Sequence, residues 1–128
     1  MPKKCLITTS GPRAIGPYSI AVRAGGFVFC SGVIPVHPDT GEIVGADIRT
    51  QTRQVLRNLS AILQDNDLTL SDVVKTTCFL ANMDDFPAFN EVYAEFFAVD
   101  PPARSTVEVS RLPKSVLVEV EAIAQAPE

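Results

Sequence analysis

The chain has 128 residues, 46% of them hydrophobic, which suits one domain with a real core and argues against disorder. Net charge is −4, from 11 basic and 15 acidic residues, and the basic ones are scattered, which counts against nucleic acid as a partner because phosphate binding needs a basic footprint. No apolar run approaches the roughly 20 residues that span a bilayer, and the opening MPKKCLITTSGP has no signal-peptide core, so a cytoplasmic protein is expected.

Taken in chain order, Lys3–Thr9 reads as a short strand and Ser10–Pro17 as a Gly/Pro-rich loop. A second strand follows over Tyr18–Ala24, and Gly25-Gly26 suits a hairpin turn into a third over Phe27–Pro35. HPDTGE is a turn. The period then changes. Ile48, Val55, Leu56, Leu59, Ile62 and Leu63 recur at helical spacing, with Asp47 as N-cap and an end near Asn66. A strand is expected over Val73–Leu80. A second helix starts near Asp84 or Asp85, with Pro87 in its first turn. Its apolar stripe is Phe86, Phe89, Tyr93, Phe96 and Phe97, and Pro101-Pro102 ends it. The last strands are roughly Ser105–Val109 and Val116–Gln125.

The order βββαβαββ predicts an α+β fold, a single domain over residues 1–128 with one mixed sheet and two helices on one face. Several strands carry large apolar residues on both faces. In the last, Val116, Val118, Val120 and Ala122 oppose Leu117, Glu119, Glu121 and Ile123. Two helices cover one face only, so the other is expected to pack against copies of the same chain. If Val107 and Val109 face the helices, Arg104, Glu119 and Glu121 share the oligomer side and line a cleft there.

Cys5, Cys30 and Cys78 all sit in strand-like apolar stretches and are expected to be buried, reduced thiols. Their spacing suits neither a disulfide framework nor a zinc site, and the single histidine, His37, cannot supply a His-based triad or multi-His metal site within one chain.

Four stretches, IGPYS, FCSGVIPVHPDTGEIVG, PPARSTVEVSRLP and VEVEAIA, together resemble the RidA (YjgF) family of reactive-intermediate imine deaminases. The similarity is co-linear from about Ile15 to Ala124. The resemblance implies a chorismate-mutase-like fold, a homotrimer with sites between subunits, and no cofactor or metal. It implies hydrolysis of 2-imino or enamine acids, such as 2-aminoacrylate, to 2-oxo acids and ammonia.

Each site residue has a bland alternative. Arg104 can hold a carboxylate in its planar fork; spacing alone favours an interface salt bridge, and the resemblance assigns the substrate carboxylate. Glu119 and Glu121 are both candidates for acid–base work; the resemblance puts Glu119 at the water and leaves Glu121 structural. For Tyr18, Ser31 and Asn90 the alternatives are packing, a strand-end hydroxyl bonding backbone, and a helix-surface amide; the resemblance places all three at the substrate pocket. Two positions depart from the family pattern. Thr106 stands where many relatives have Cys, so thiol chemistry is ruled out there and its backbone N–H and C=O remain for substrate. Val33 stands where Gln is common. Both bear on substrate range. An endoribonuclease or translation inhibitor, an aminomuconate-type deaminase, and a non-catalytic 2-oxo acid sensor or chaperone are the competing readings.

Overall fold

The computed structural model describes residues 2–127. Six strands form one sheet: β1 Lys4–Leu6, β2 Ala21–Ala24, β3 Phe27–Val33, β4 Val73–Leu80, β5 Ala103–Glu108 and β6 Val118–Gln125. Two helices, α1 Ile48–Gln64 and α2 Phe86–Phe96, fill the connections β3–β4 and β4–β5. The spatial order is β1-β2-β3-β6-β4-β5. β6 runs antiparallel to both of its neighbours, β3 and β4, so those two are parallel to each other. β4 and β5 pair in parallel directly. Each helix is therefore a crossover between parallel strands, and the preferred right-handed crossover puts both on one face.

The expected element order holds, and so do the strand Val73–Leu80 and the α1 N-cap. Asp47 accepts a hydrogen bond from the Thr50 N–H at 3.0 Å, satisfying one donor of the first turn. Val55, Leu56, Leu59, Ile62 and Leu63 are buried against Val118, Val120, Ala122 and Ala124. Arg49–Glu91 and Arg53–Glu95 ion pairs tie α1 to α2. Two polar side chains of α1 fix the loops around the sheet. Asn58 donates to the carbonyls of Ile34 and Val36, and Gln51 accepts from the Leu117 N–H just before β6.

Besides β2 and β3, which are shorter than the expected Tyr18–Ala24 and Phe27–Pro35, three expectations need correction. First, β1 covers Lys4–Leu6 rather than Lys3–Thr9, because Asp65, the α1 C-cap, captures the following residues. Its carboxylate accepts from the Thr8 hydroxyl at 2.6 Å, the Thr9 N–H at 2.8 Å, and the N–H and hydroxyl of Ser10 at 2.9 and 2.6 Å. Second, Cys5 is exposed on this edge strand; only Cys30 and Cys78 are buried. Burial pushes their thiols up, to about 12 and about 11, so both stay protonated.

Third, β5 presents the opposite faces to those expected. Arg104 pairs with Thr76 and Thr106 with Cys78, both fully buried beneath the helices. Val107 pairs with Phe79 on the other face and is 43% exposed. That open face also carries Phe27 and Phe29, each 44% exposed. A register shift near Val74 puts Val73 on the helix side with Thr76 and Cys78, and not with Lys75 and Thr77.

Candidate functional site

The six expected site residues fall into two groups on opposite faces of the sheet. Arg104, Thr106 and Asn90 lie on the helix face at the β5 edge. Glu119, Ser31 and Tyr18 belong to a cleft on the open face. The same-side placement of Arg104 and Glu119 expected from alternation is overturned by the β4–β5 register.

The first group is built on α2. Phe86, Asn90 and Tyr93 recur at i, i+4 and i+7 and so share one helix face, toward β5. The Arg104 guanidinium carbon lies 4.7 Å from the Tyr93 ring centroid, 5.4 Å from that of Phe86 and 5.8 Å from that of Phe89. Among the described residues Arg104 makes no ion pair. Asn90 Oδ1 and Thr106 Oγ1 are buried with no hydrogen-bond partner. A guanidinium without a counter-charge, beside two unsatisfied polar atoms, is a place where a polar ligand is expected rather than a finished structural network.

The second group lines a cleft of about 450 Å³ formed by Ile15, Gly16, Pro17, Tyr18, Ser31, Gly32, Ile34, Pro113 and Glu119. Gly16 and Pro17 turn the chain so that the Tyr18 N–H donates to the Gly16 carbonyl at 2.8 Å. β2 therefore begins at Ala21, not Tyr18. The Tyr18 hydroxyl accepts from the Ile15 N–H at 3.3 Å, and the ring is 44% exposed. Ser31 donates its hydroxyl to the Ser19 carbonyl at 2.7 Å, so that proton is committed to backbone and only its oxygen lone pairs remain for a ligand.

Glu119 is half-buried on β6. Burial, and then the neighbouring charge of Glu121, hold its carboxyl above the ordinary range. It lies against Gly32, where the β3–β6 register shifts between Cys30 and Val33. A methyl group on Gly32 would stand 2.8 Å from Glu119 Cδ. Such clearance marks Gly32 as part of the site, although only its position after Ser31 hinted at this in the sequence. The aromatic surround of Arg104 is visible in the sequence only as the apolar stripe of the second helix. Val33, a departure from the family pattern, is 2% exposed and packs opposite Val120, so it acts as core and does not present a side chain to the cleft surface.

Comparison with known proteins places this architecture. The family model described as Endoribonuclease L-PSP matches residues 8–126. A RutC family protein of Pyrococcus horikoshii is 56% identical over 122 residues, covering 95% of this chain and 97% of the relative. The chloroplastic Reactive Intermediate Deaminase A of Arabidopsis thaliana is 44% identical over 122 residues, covering 95% of this chain and 65% of that protein. Among solved structures, E. coli TdcF with bound serine aligns with a TM-score of 0.91 at 46% identity, covering 97% of this chain and all 100% of that one. Yeast Mmf1 aligns with a TM-score of 0.94 at 39% identity, covering 98% and 100%. A family match across nearly the whole chain, joined to relatives near half identical, makes this chain a member of the Endoribonuclease L-PSP family, the RidA (YjgF) group that its motifs resemble.

Proposed function

We propose that this protein hydrolyses reactive 2-imino and enamine acids, 2-aminoacrylate among them, to 2-oxo acids and ammonia without a cofactor. The sites are clefts between copies of a homotrimer, where Arg104 of one copy faces Glu119 of the next. The observation that carries this reading is the division of the site: an unpaired guanidinium on one sheet face and a half-buried carboxyl of raised pKa on the other. Neither half suffices alone. The exposed Phe27, Phe29 and Val107 give the open face a reason to be covered by another copy. The number three rests on the family resemblance. The deaminase name of the Arabidopsis relative and the serine bound in TdcF support a small α-amino-acid-derived substrate.

In this mechanism the substrate carboxylate docks on Arg104 by two charge-assisted hydrogen bonds. The backbone at Thr106 and the polar atoms of Asn90 orient the nitrogen. Enamine protonates at carbon to give the imine. Glu119, as carboxylate, takes a proton from water as the oxygen attacks the imine carbon, giving a carbinolamine. That proton passes to the nitrogen, the carbinolamine hydroxyl proton follows it by way of Glu119, the C–N bond breaks, and ammonia leaves as the 2-oxo acid forms. Tyr18 and Ser31 wall the cleft and hydrogen-bond substrate or water.

The test generates the imine in place with a serine or threonine dehydratase and follows 2-oxo acid release with and without this protein. Acceleration by the wild type, absent with Arg104→Ala, is the expected result. No acceleration by a correctly assembled wild-type oligomer overturns the assignment and shifts weight to a narrower deaminase or a binding role.

A further inference from the structure

We infer that Tyr93 and Phe86 are positioning residues for Arg104: their rings hold the guanidinium in place while leaving its N–H donors open to a substrate carboxylate. This role rests on the proposed imine hydrolysis. An arginine at a sheet edge ordinarily either pairs with a carboxylate or extends into solvent. Arg104 does neither among the described residues. Three ring centroids lie within 6 Å of its guanidinium carbon, the range in which a ring quadrupole attracts a cation. An aromatic face supplies attraction but no strong acceptor, so it immobilises the group without consuming its donors. A carboxylate in the same place would consume them and compete with substrate.

The nearest ring is itself held from several sides. Tyr93 Oη and Thr76 Oγ1 are hydrogen-bonded at 2.8 Å in a buried setting, and Thr76 is the register partner of Arg104 on β4. Phe89 and Phe97 flank the ring at 5.5 and 4.7 Å between centroids. Burial raises the phenol above its ordinary pKa, so the ring stays neutral and puts no counter-charge beside the guanidinium. The strand residue next to Arg104 thus fixes the ring, and the ring fixes Arg104. Pre-ordering a long side chain in this way removes rotamer entropy that substrate binding would otherwise have to overcome.

Two readouts test this. The Arg104 side-chain N–H resonance, assigned by its loss in Arg104→Lys, is expected to be displaced upfield by ring currents in the wild type and to relax toward the free position in Phe86→Leu. Calorimetric binding of 2-oxobutanoate is expected to weaken about tenfold in Tyr93→Leu and severalfold in Phe86→Leu. Tyr93→Phe keeps the ring and is expected to retain most of the affinity. Phe86 is only half-buried, so its variant checks the inference if Tyr93→Leu fails to fold. An undisplaced wild-type resonance overturns the inference whatever the enzyme does. Unchanged affinity in both ring-removing variants also overturns it. A displaced resonance in a wild type that neither binds 2-oxobutanoate nor hydrolyses imines leaves the aromatic hold standing and removes its catalytic purpose, together with the proposed function.

Discussion

Arg104 and Glu119 stand on opposite faces of one sheet, on strands β5 and β6 with only β4 between them. Thr76, beside Arg104, is buried under α2, whereas Phe79, beside Glu119, lies on the open face. One substrate cannot touch both groups of a single chain without passing through the sheet. Arg104→Ala and Glu119→Gln are therefore each expected to be inactive alone and to complement when unfolded and refolded together. Random assortment leaves both groups intact at about a quarter of the shared sites. Mixed oligomers verified by mass spectrometry and still inactive would sink the shared cleft.

Arg104→Lys is expected to fail nearly as badly as Arg104→Ala. An ammonium keeps the charge but loses the planar fork that lies over the Tyr93 ring. Loss of one charge-assisted hydrogen bond corresponds to about 10- to 100-fold in kcat/KM. Near-full turnover by the lysine variant in the dehydratase-coupled assay would rule out bidentate binding.

Much of this architecture is legible in the sequence. The bounds of β4 and the Asp47 cap follow from local chemistry that acts within a few residues, whereas α2 ends at Phe96, before it reaches Pro101-Pro102. The strands with apolar residues on both faces announced a second covered surface. What local pattern could not give was the orientation of β5. Val107 and Val109 read as core, but Val107 lies on the open face, where a neighbouring copy and not a helix is its expected cover. Alternation assigns Arg104 to the oligomer side because its aromatic partners come from another element, ten or more positions earlier in the chain. β1 is shorter than local pattern implies for a similar reason: the hydrogen bonds that divert Thr8–Ser10 come from Asp65, more than 50 residues away. The candidate site residues are named by motif, while their division between the two sheet faces is set by the register.

Glu119 gives a pH signature with a definite sign. Its folded pKa is raised above the ordinary 4.5 by burial and by Glu121. A carboxyl that is harder to ionise when folded binds more protons in the native state, so stability falls as pH rises from near that ordinary value through the folded one. Removing the neighbouring charge in Glu121→Gln is expected to lessen that loss. Because the proposed attack needs the carboxylate form, the acid limb of kcat/KM is expected to move to lower pH in the same variant. Denaturant midpoints and rate profiles across the acid range check both, and an unmoved acid limb would remove Glu119 as the titrating group.

Asp65 has the opposite sign. Hydrogen bonds from Ser10, Thr8 and the backbone hold its carboxyl well below the ordinary 3.8. Its contribution is present above that value and disappears as pH falls through the folded one. Being exposed at the surface, the contact is screened and modest. Asp65→Asn is expected to lower the melting temperature by a few degrees at neutral pH and to reduce the acid sensitivity. Amide exchange at Thr9 and Ser10 should quicken, since both N–H groups donate to this carboxylate. Unchanged exchange there would mean the segment is held by something else.

Gly32→Ala isolates the placement of the Glu119 carboxyl from the fold. Gly32 is not among the glycines with positive φ, so alanine meets no backbone penalty there. Its methyl group, however, would fall 2.8 Å from Glu119 Cδ and 3.1 Å from Cγ. Contacts that short force the carboxyl to swing away, and a shift of about 1 Å at a reacting group costs on the order of 100-fold. The expected result is a loss of that order in kcat, with little change in KM for a substrate anchored through its carboxylate on Arg104. Circular dichroism and oligomer mass should match the wild type. Undiminished kcat would mean that the attacking water is not held where Glu119 now points.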